Sequence, residues 1–158
     1  LLETIALKRG PYRMKERKRI GLIAHDARKP ALRAFVHAHR DRFAGHDLYA
    51  TGTTGKVIAE DTGLAVQCLK SGPLGGDQQM GALIAEGGLD ILLFFTDPMT
   101  SMPHDVDVKA LLRLCTLYNV VLACNQASAD FVLGSPLFDA AYEAAEPDNE
   151  GYLNRVLP

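Results

Sequence analysis

Residues 47–61 read Asp-Leu-Tyr-Ala-Thr-Gly-Thr-Thr-Gly-Lys-Val-Ile-Ala-Glu-Asp, and a change of texture inside this stretch decides the fold. Residues 47–51 (DLYAT) are a short apolar run of the kind that forms a buried strand, while residues 55–61 carry the spacing of a helix. Gly52 and Gly55 stand between them, where the chain must turn tightly. Strand, glycine turn and helix in immediate succession form the opening of a βαβ unit.

The same texture recurs on both sides. Residues 19–24 (RIGLIA), 65–69 (AVQCL), 90–96 (DILLFFT) and 120–124 (VVLAC) read as further buried strands. Helical spacing covers residues 30–43, 77–86 and 105–119, with more helix after Gln126. In the last of these segments Val108, Leu111, Leu112, Cys115 and Tyr118 trace one apolar stripe. Strands alternating with helices through short connections predict right-handed crossovers, hence a single-domain α/β fold. The expected architecture is a three-layer α/β/α sandwich around a doubly wound, five-stranded parallel sheet, Rossmann-like in outline.

The domain is expected over residues 19–158, preceded by a basic N-terminal arm at residues 1–18. Residues 8–19 (KRGPYRMKERKR) are strongly basic but lack the apolar segment of a signal peptide or membrane anchor, so they are read as a solvated arm leading into the first strand. The first residue is Leu1, not methionine, and further residues are expected ahead of it.

Bulk properties exclude several classes. A chain of 158 residues is long enough to bury one core, and 47% hydrophobic with 23% charged residues is globular rather than disordered or fibrous composition. A net charge of -2 gives no reason to expect nucleic acid or a membrane surface as partner, and no run of eighteen apolar residues is present. Cys68, Cys115 and Cys124 form no CxxC pair and lie in apolar segments, so buried thiols and a reducing, cytoplasmic compartment are expected.

In doubly wound sheets the sites lie beyond the carboxyl ends of strands. That rule selects residues 25–29, 52–55, 70–79, 97–107 and 125–129. In the second of these loops backbone N–H groups and the hydroxyls of Thr51, Thr53 and Thr54 converge at a helix start, which suits an anion; a plain N-capping turn is the alternative. Residues 50–57 are not a Walker loop, since Ala50 replaces its first glycine and Val57 its final hydroxyl. The first loop, His25-Asp-Ala-Arg-Lys29, lacks the dinucleotide GxGxxG, so neither ATP hydrolysis nor NAD chemistry is expected.

The third loop, Ser71-Gly-Pro-Leu-Gly-Gly-Asp-Gln-Gln79, offers a second anion position at Ser71 and Gly72, with Lys29 as a nearby cation. Its Asp77 opens a helix, where an acid serves either as a cap or as a proton acceptor. In the fourth loop His104 and Asp107 stand three apart at a helix start and are expected to share a face. A helix N-terminus disfavours the imidazolium and keeps a histidine available as a hydrogen-bond donor to a substrate oxygen; capping by Asp105 or Asp107 is the plainer reading. His25, Asp26 and Asp97 complete the candidate set. No HxxxH or HExxH spacing occurs, and no metal is expected. His37, His39 and His46 are read as surface or structural residues.

Five segments together, AHDxxK at 24–29, ATGTTG at 50–55, SGPLGGDQQ at 71–79, FFTDP at 94–98 and PHDVDVKALLR at 103–113, resemble the methylglyoxal synthase family. The resemblance covers the chain from about Arg19 onward. It implies a cytoplasmic lyase that converts dihydroxyacetone phosphate to methylglyoxal and inorganic phosphate, a glycolytic bypass, with no metal or organic cofactor. It further implies that Asp77 is the base, that His25 and His104 lie near the enediolate oxygens, that Asp107 pairs with His104, and that Asp26 and Asp97 are supporting acids. Lys29, Thr51, Thr53, Thr54, Ser71 and Gly72 match its phosphate-binding positions. A homohexamer under allosteric inhibition by phosphate is implied as well. One departure is the family's arginine near the C-terminus, for which Arg155 is displaced by one position. Two other readings stay open: an effector-binding domain similar to the regulatory domain of carbamoyl phosphate synthetase, and an isomerase of the triose phosphate type.

Overall fold

The computed structural model describes residues 12–146 and 149–156. Its first half contains β1 (Tyr12–Met14), β2 (Arg19–Ala24), α1 (Lys29–Ala38), α2 (Arg40–Phe43), β3 (Asp47–Ala50), α3 (Gly52–Thr62) and β4 (Val66–Cys68). The second half contains α4 (Gly76–Ala85), β5 (Ile91–Phe95), α5 (Asp105–Leu117), β6 (Val121–Ala123), α6 (Gln126–Gly134), β7 (Tyr142–Ala144) and α7 (Glu150–Leu153).

Five strands form one parallel sheet in the order β4-β3-β2-β5-β6. The chain steps outward from β2 to β3 and β4, then returns through α4 to the other side of β2. Loops leaving β2 and β5 therefore diverge, which opens a crevice at the carboxyl end of the sheet. The expected doubly wound α/β architecture is the one observed.

Two apolar layers hold it. On one face Ile20, Leu22 and Leu93 pack against Leu32 and Val36 of α1 and Ile58 of α3. On the other, Ile23, Leu92 and Phe94 pack against Met80 and Ile84 of α4 and Leu111 and Cys115 of α5. Alternate residues of β2 and β5 thus serve opposite layers, which is why both strands read as continuous apolar runs. At the amino end of the sheet Asp90, 1% exposed, accepts from the backbone N–H of Arg19 at 2.8 Å and from its Nη2 at 2.9 Å.

The basic arm departs from its expected solvation. Residues 1–11 lie outside the described residues, but Tyr12–Met14 pairs antiparallel with Tyr142–Ala144. Arg13, Lys15, Glu16 and Arg17 are exposed, whereas Met14 and Lys18 are each only 2% exposed. The apolar stem of Lys18 packs inside while its Nζ donates to the carbonyls of Lys15 and Ala140, so the ammonium keeps hydrogen bonds that replace water. Its backbone N–H donates to Nδ1 of His46, and His46 Nε2 meets Asp139 at 3.0 Å, which gives that histidine its structural place.

Of the three cysteines only Cys115 is fully buried, its thiol pushed up to about 12 by burial. Cys124 is half-buried and Cys68 is exposed, against expectation. The reason is position: Cys68 ends β4, the outer strand of the sheet, which has no neighbour on one side among the described residues.

Candidate active site

Four loops meet at the carboxyl end of the sheet. After β2, His25 donates its backbone N–H to the Phe95 carbonyl at 3.2 Å, and a single turn at Asp26–Arg28 leads into α1. After β3, Thr51 is the extended residue before α3, which begins at Gly52 rather than at Gly55. The Gly52 N–H faces the carbonyls of Leu69 and Lys70 at 3.2 and 3.1 Å, stitching the two glycine-rich loops together.

The 70–79 loop folds back on itself. Gly76 N–H donates to the Ser71 carbonyl at 2.9 Å, and Gln79 Oε1 accepts from the Lys70 N–H at 2.7 Å. This closure requires glycine at 76, because a Cβ there would sit 1.9 Å from the Lys70 carbonyl oxygen. Gly76→Ala is therefore expected to destabilise the fold by about 1–3 kcal/mol through forced backbone displacement. Urea unfolding of the variant beside the parent measures that cost; an unchanged midpoint would disprove the close approach.

The loops enclose a cleft of about 210 Å³. Of the candidate residues, His25, Asp26, Lys29, Thr51, Thr54, Ser71, Gly72, Asp77 and His104 line it. Thr53, Asp97 and Asp107 do not. Among the described residues, the buried side-chain polar atoms without a hydrogen-bond partner are His25 Nε2, Thr54 Oγ1, Asp77 Oδ2 and His104 Nδ1, and all four residues border this cleft. Buried polar groups are nearly always satisfied, so a cluster of unsatisfied ones in one cleft marks a binding site.

Asp77 stands in the first turn of α4 with 4% exposure. Burial pushes its carboxyl up from the ordinary aspartate range; the His104 imidazole pulls it down, Asp107 pushes it up and His25 pulls it down. His104 Nε2 lies 3.9 Å from Asp77 Oδ2. The Asp97 backbone N–H donates to His25 Nδ1 at 2.8 Å. Nδ1 is thus an acceptor, which puts the proton of the neutral ring on Nε2, the unpartnered nitrogen.

Three expected placements differ in detail. Asp107 forms no side-chain hydrogen bond to His104, whose Nδ1 is unpartnered. His104 precedes α5 with φ -106 and ψ 25, so the helical three-residue spacing does not apply to its ring. Asp97 bonds its own turn instead, accepting from the Met99 N–H at 3.1 Å, and hydrogen bonds from Thr100 and Met99 hold its carboxyl below the usual range. Thr53 is exposed because α3 starts early and turns its side chain outward. Asp26 is 87% exposed and pairs with Lys29 Nζ at 2.7 Å; that ammonium, first by hydrogen bonding and then by charge, keeps the Asp26 carboxyl low.

Sequence reasoning missed the Asp97 backbone donor, which no side-chain type announces, and the apolar wall of Ile23, Phe94, Pro73 and Met102. Arg155 lies exposed, its guanidinium 3.9 Å from the Tyr152 ring centroid, and is absent from the cleft lining. A larger cavity of about 580 Å³ runs between α1 and α3. Its Arg33 and His37 are both paired with Asp61 at 2.9 Å, and although Lys29, Thr53 and Thr54 border it, it holds none of His25, Asp77 and His104. The smaller cleft is where the candidate acid-base groups gather.

Fold and site together define a doubly wound α/β protein that presents glycine-rich loops beside a buried carboxylate and two imidazoles. A family model described as the MGS-like domain matches residues 32–124. Methylglyoxal synthases of Yersinia pestis (strain Pestoides F) and Yersinia pseudotuberculosis serotype O:1b (strain IP 31758) are each 52% identical over 141 residues, covering 89% of this chain and 92% of theirs. The crystal structure of methylglyoxal synthase from Elizabethkingia anophelis NUHP1 superposes with a TM-score of 0.88 at 51% identity, covering 92% of this chain and 96% of that one. The chain belongs to the methylglyoxal synthase family of lyases.

Proposed function

We propose that the protein converts dihydroxyacetone phosphate to methylglyoxal and inorganic phosphate, working in the cytoplasm without metal or organic cofactor. The observation that carries this reading is the Asp77 carboxylate, buried and unpartnered at Oδ2, facing the same cleft as the anion loops. Lys29, Thr51, Thr54, Ser71 and Gly72 hold the phosphate, and Thr53 contributes its backbone N–H in the open first turn of α3.

Asp77 removes a proton from the hydroxymethyl carbon. The electron pair of that C–H bond forms a carbon-carbon double bond, and the ketone oxygen becomes an enediolate oxygen. His25 Nε2–H is the donor aimed into the cleft, and His104 stands beside the base, so charge develops where donors already point. The hydroxyl on the deprotonated carbon then gives up its proton and its oxygen becomes the aldehyde carbonyl, while the double bond shifts to the methylene as the C–O bond breaks and phosphate leaves. The resulting enolate takes up a proton at that methylene carbon to become methylglyoxal. Expulsion is fast only when the breaking bond is aligned with the π system, so the phosphate loops set a torsion as well as an affinity.

Incubation with dihydroxyacetone phosphate tests the reading, with equal amounts of methylglyoxal and phosphate expected. Absence of both would sink the lyase assignment, and glyceraldehyde 3-phosphate in their place would establish an isomerase. Thr54→Val removes a buried hydroxyl at constant shape; KM is expected to rise about tenfold or more, the worth of a hydrogen bond to a charged group, with kcat less affected. Steady-state kinetics separates the two. The same reading includes a homohexamer inhibited by phosphate, supported by family membership and by a cradle that product phosphate would also occupy.

A further inference from the structure

We infer that Met102 sets the length of substrate the cleft accepts, closing its end away from the phosphate loops. The inference rests on the lyase reading above and adds a residue that determines specificity.

The sheet order supplies the direction. The phosphate loops follow β3 and β4 on one side of β2, whereas the loop carrying Met102 follows β5 on the other. Asp77 and His104, with 3.9 Å between Oδ2 and Nε2, stand at the junction of the two sides. A substrate anchored by its phosphate and deprotonated at its far carbon therefore points any further substituent on that carbon toward the β5 side.

On that side the apolar wall is Ile23, Phe94 and Met102. Ile23 and Phe94 are strand residues with 3% and 0% exposure, locked in the sheet packing. Met102 is different: it is half-buried and lies outside any helix or strand, two residues before His104. Its turn is nonetheless fixed. The Met102 N–H donates to Asp105 Oδ1 at 3.2 Å, and the Asp105 N–H donates to the Met102 carbonyl at 3.2 Å. A flexible, unbranched side chain on a fixed turn is suited to filling the remaining space over a small substrate.

A ketotetrose 1-phosphate tests this, because it undergoes the same chemistry with one more carbon. Proton loss from the carbon beyond its ketone gives the enediolate, and expulsion of phosphate leaves a four-carbon hydroxydiketone. Phosphate release is measured with both substrates for the parent, Met102→Ala, Met102→Val and Met102→Leu. Shortening to alanine is expected to raise the ratio of kcat/KM for the tetrose over the triose by about tenfold or more, the range that one methylene commands in an apolar pocket. Leucine, similar in volume, is expected to keep the parent ratio. Valine is a second shortening, so the ratio is read even if the alanine variant does not fold. An active parent with an unchanged ratio in the shortened variants overturns the Met102 assignment alone. A parent that makes no methylglyoxal overturns the lyase reading and the inference with it.

Discussion

Asp77→Asn is expected to lower kcat by about 10²–10⁴-fold, the usual contribution of a positioned base, while binding of a non-reactive substrate analogue changes little. Asparagine keeps the shape of aspartate but cannot accept the carbon-bound proton. The proposed phosphate contacts at Lys29, Thr51, Thr54, Ser71 and Gly72 line the same cleft, and the substitution alters none of them. Near-parental turnover at saturating substrate would show that another group is the base.

The same variant carries a stability signature of definite sign. The folded state holds the Asp77 proton more tightly than the unfolded chain does, because burial raises its carboxyl. Its contribution to stability is full below the unfolded value and is lost as pH climbs through the folded one. Asp77→Asn is therefore expected to melt above the parent at neutral pH, with the gap closing in acid. The acid limb of kcat/KM is expected to lie above the ordinary aspartate range for the same reason. A variant less stable than the parent at neutral pH would contradict the sign.

The second large effect is expected from His25→Ala, which removes the proposed donor to the developing oxyanion. Loss of one such donor costs about 10²–10³ in kcat. The ring is well placed to act this way because the Asp97 N–H occupies Nδ1 and the Phe94 ring lies edge-on at 5.2 Å between centroids. The loss should fall on kcat more than on KM, since the enediolate oxygen carries more charge than the ketone oxygen it comes from. A variant that raises KM and spares kcat would make His25 a binding residue instead.

The parts of the molecule that were legible in the sequence share a physical cause. Residues 19–24 and β2 coincide because both faces of that strand are buried, leaving an uninterrupted apolar run. Val66–Cys68, at the sheet edge, came out shorter than its apolar run suggests, and Cys68 is exposed there. β1 and β7 left no signal, being three-residue strands brought together from opposite ends of the chain. His25, Asp77 and His104, which border one cleft, could be singled out in the sequence because the topology rule confines a search to loops after strands. The Asp97 N–H could not be found that way, since every residue but proline has one. Thr53 was misdirected by three residues of helix start, enough to rotate a side chain from cleft to solvent.

The closeness of Gly72 to Asp77 has a further consequence. A Cβ on Gly72 would sit 3.1 Å from Asp77 Oδ2, so the proposed anchor and the carboxylate lie side by side within one short loop. On the proposed function, that loop acts as a ruler whose two marks are the phosphate and the proton to be taken. Its length is fixed by the chain itself rather than by the closing of a domain. A descendant that recruited Asp77 to a substrate with a differently spaced phosphate would have to rebuild the loop before it could change the chemistry.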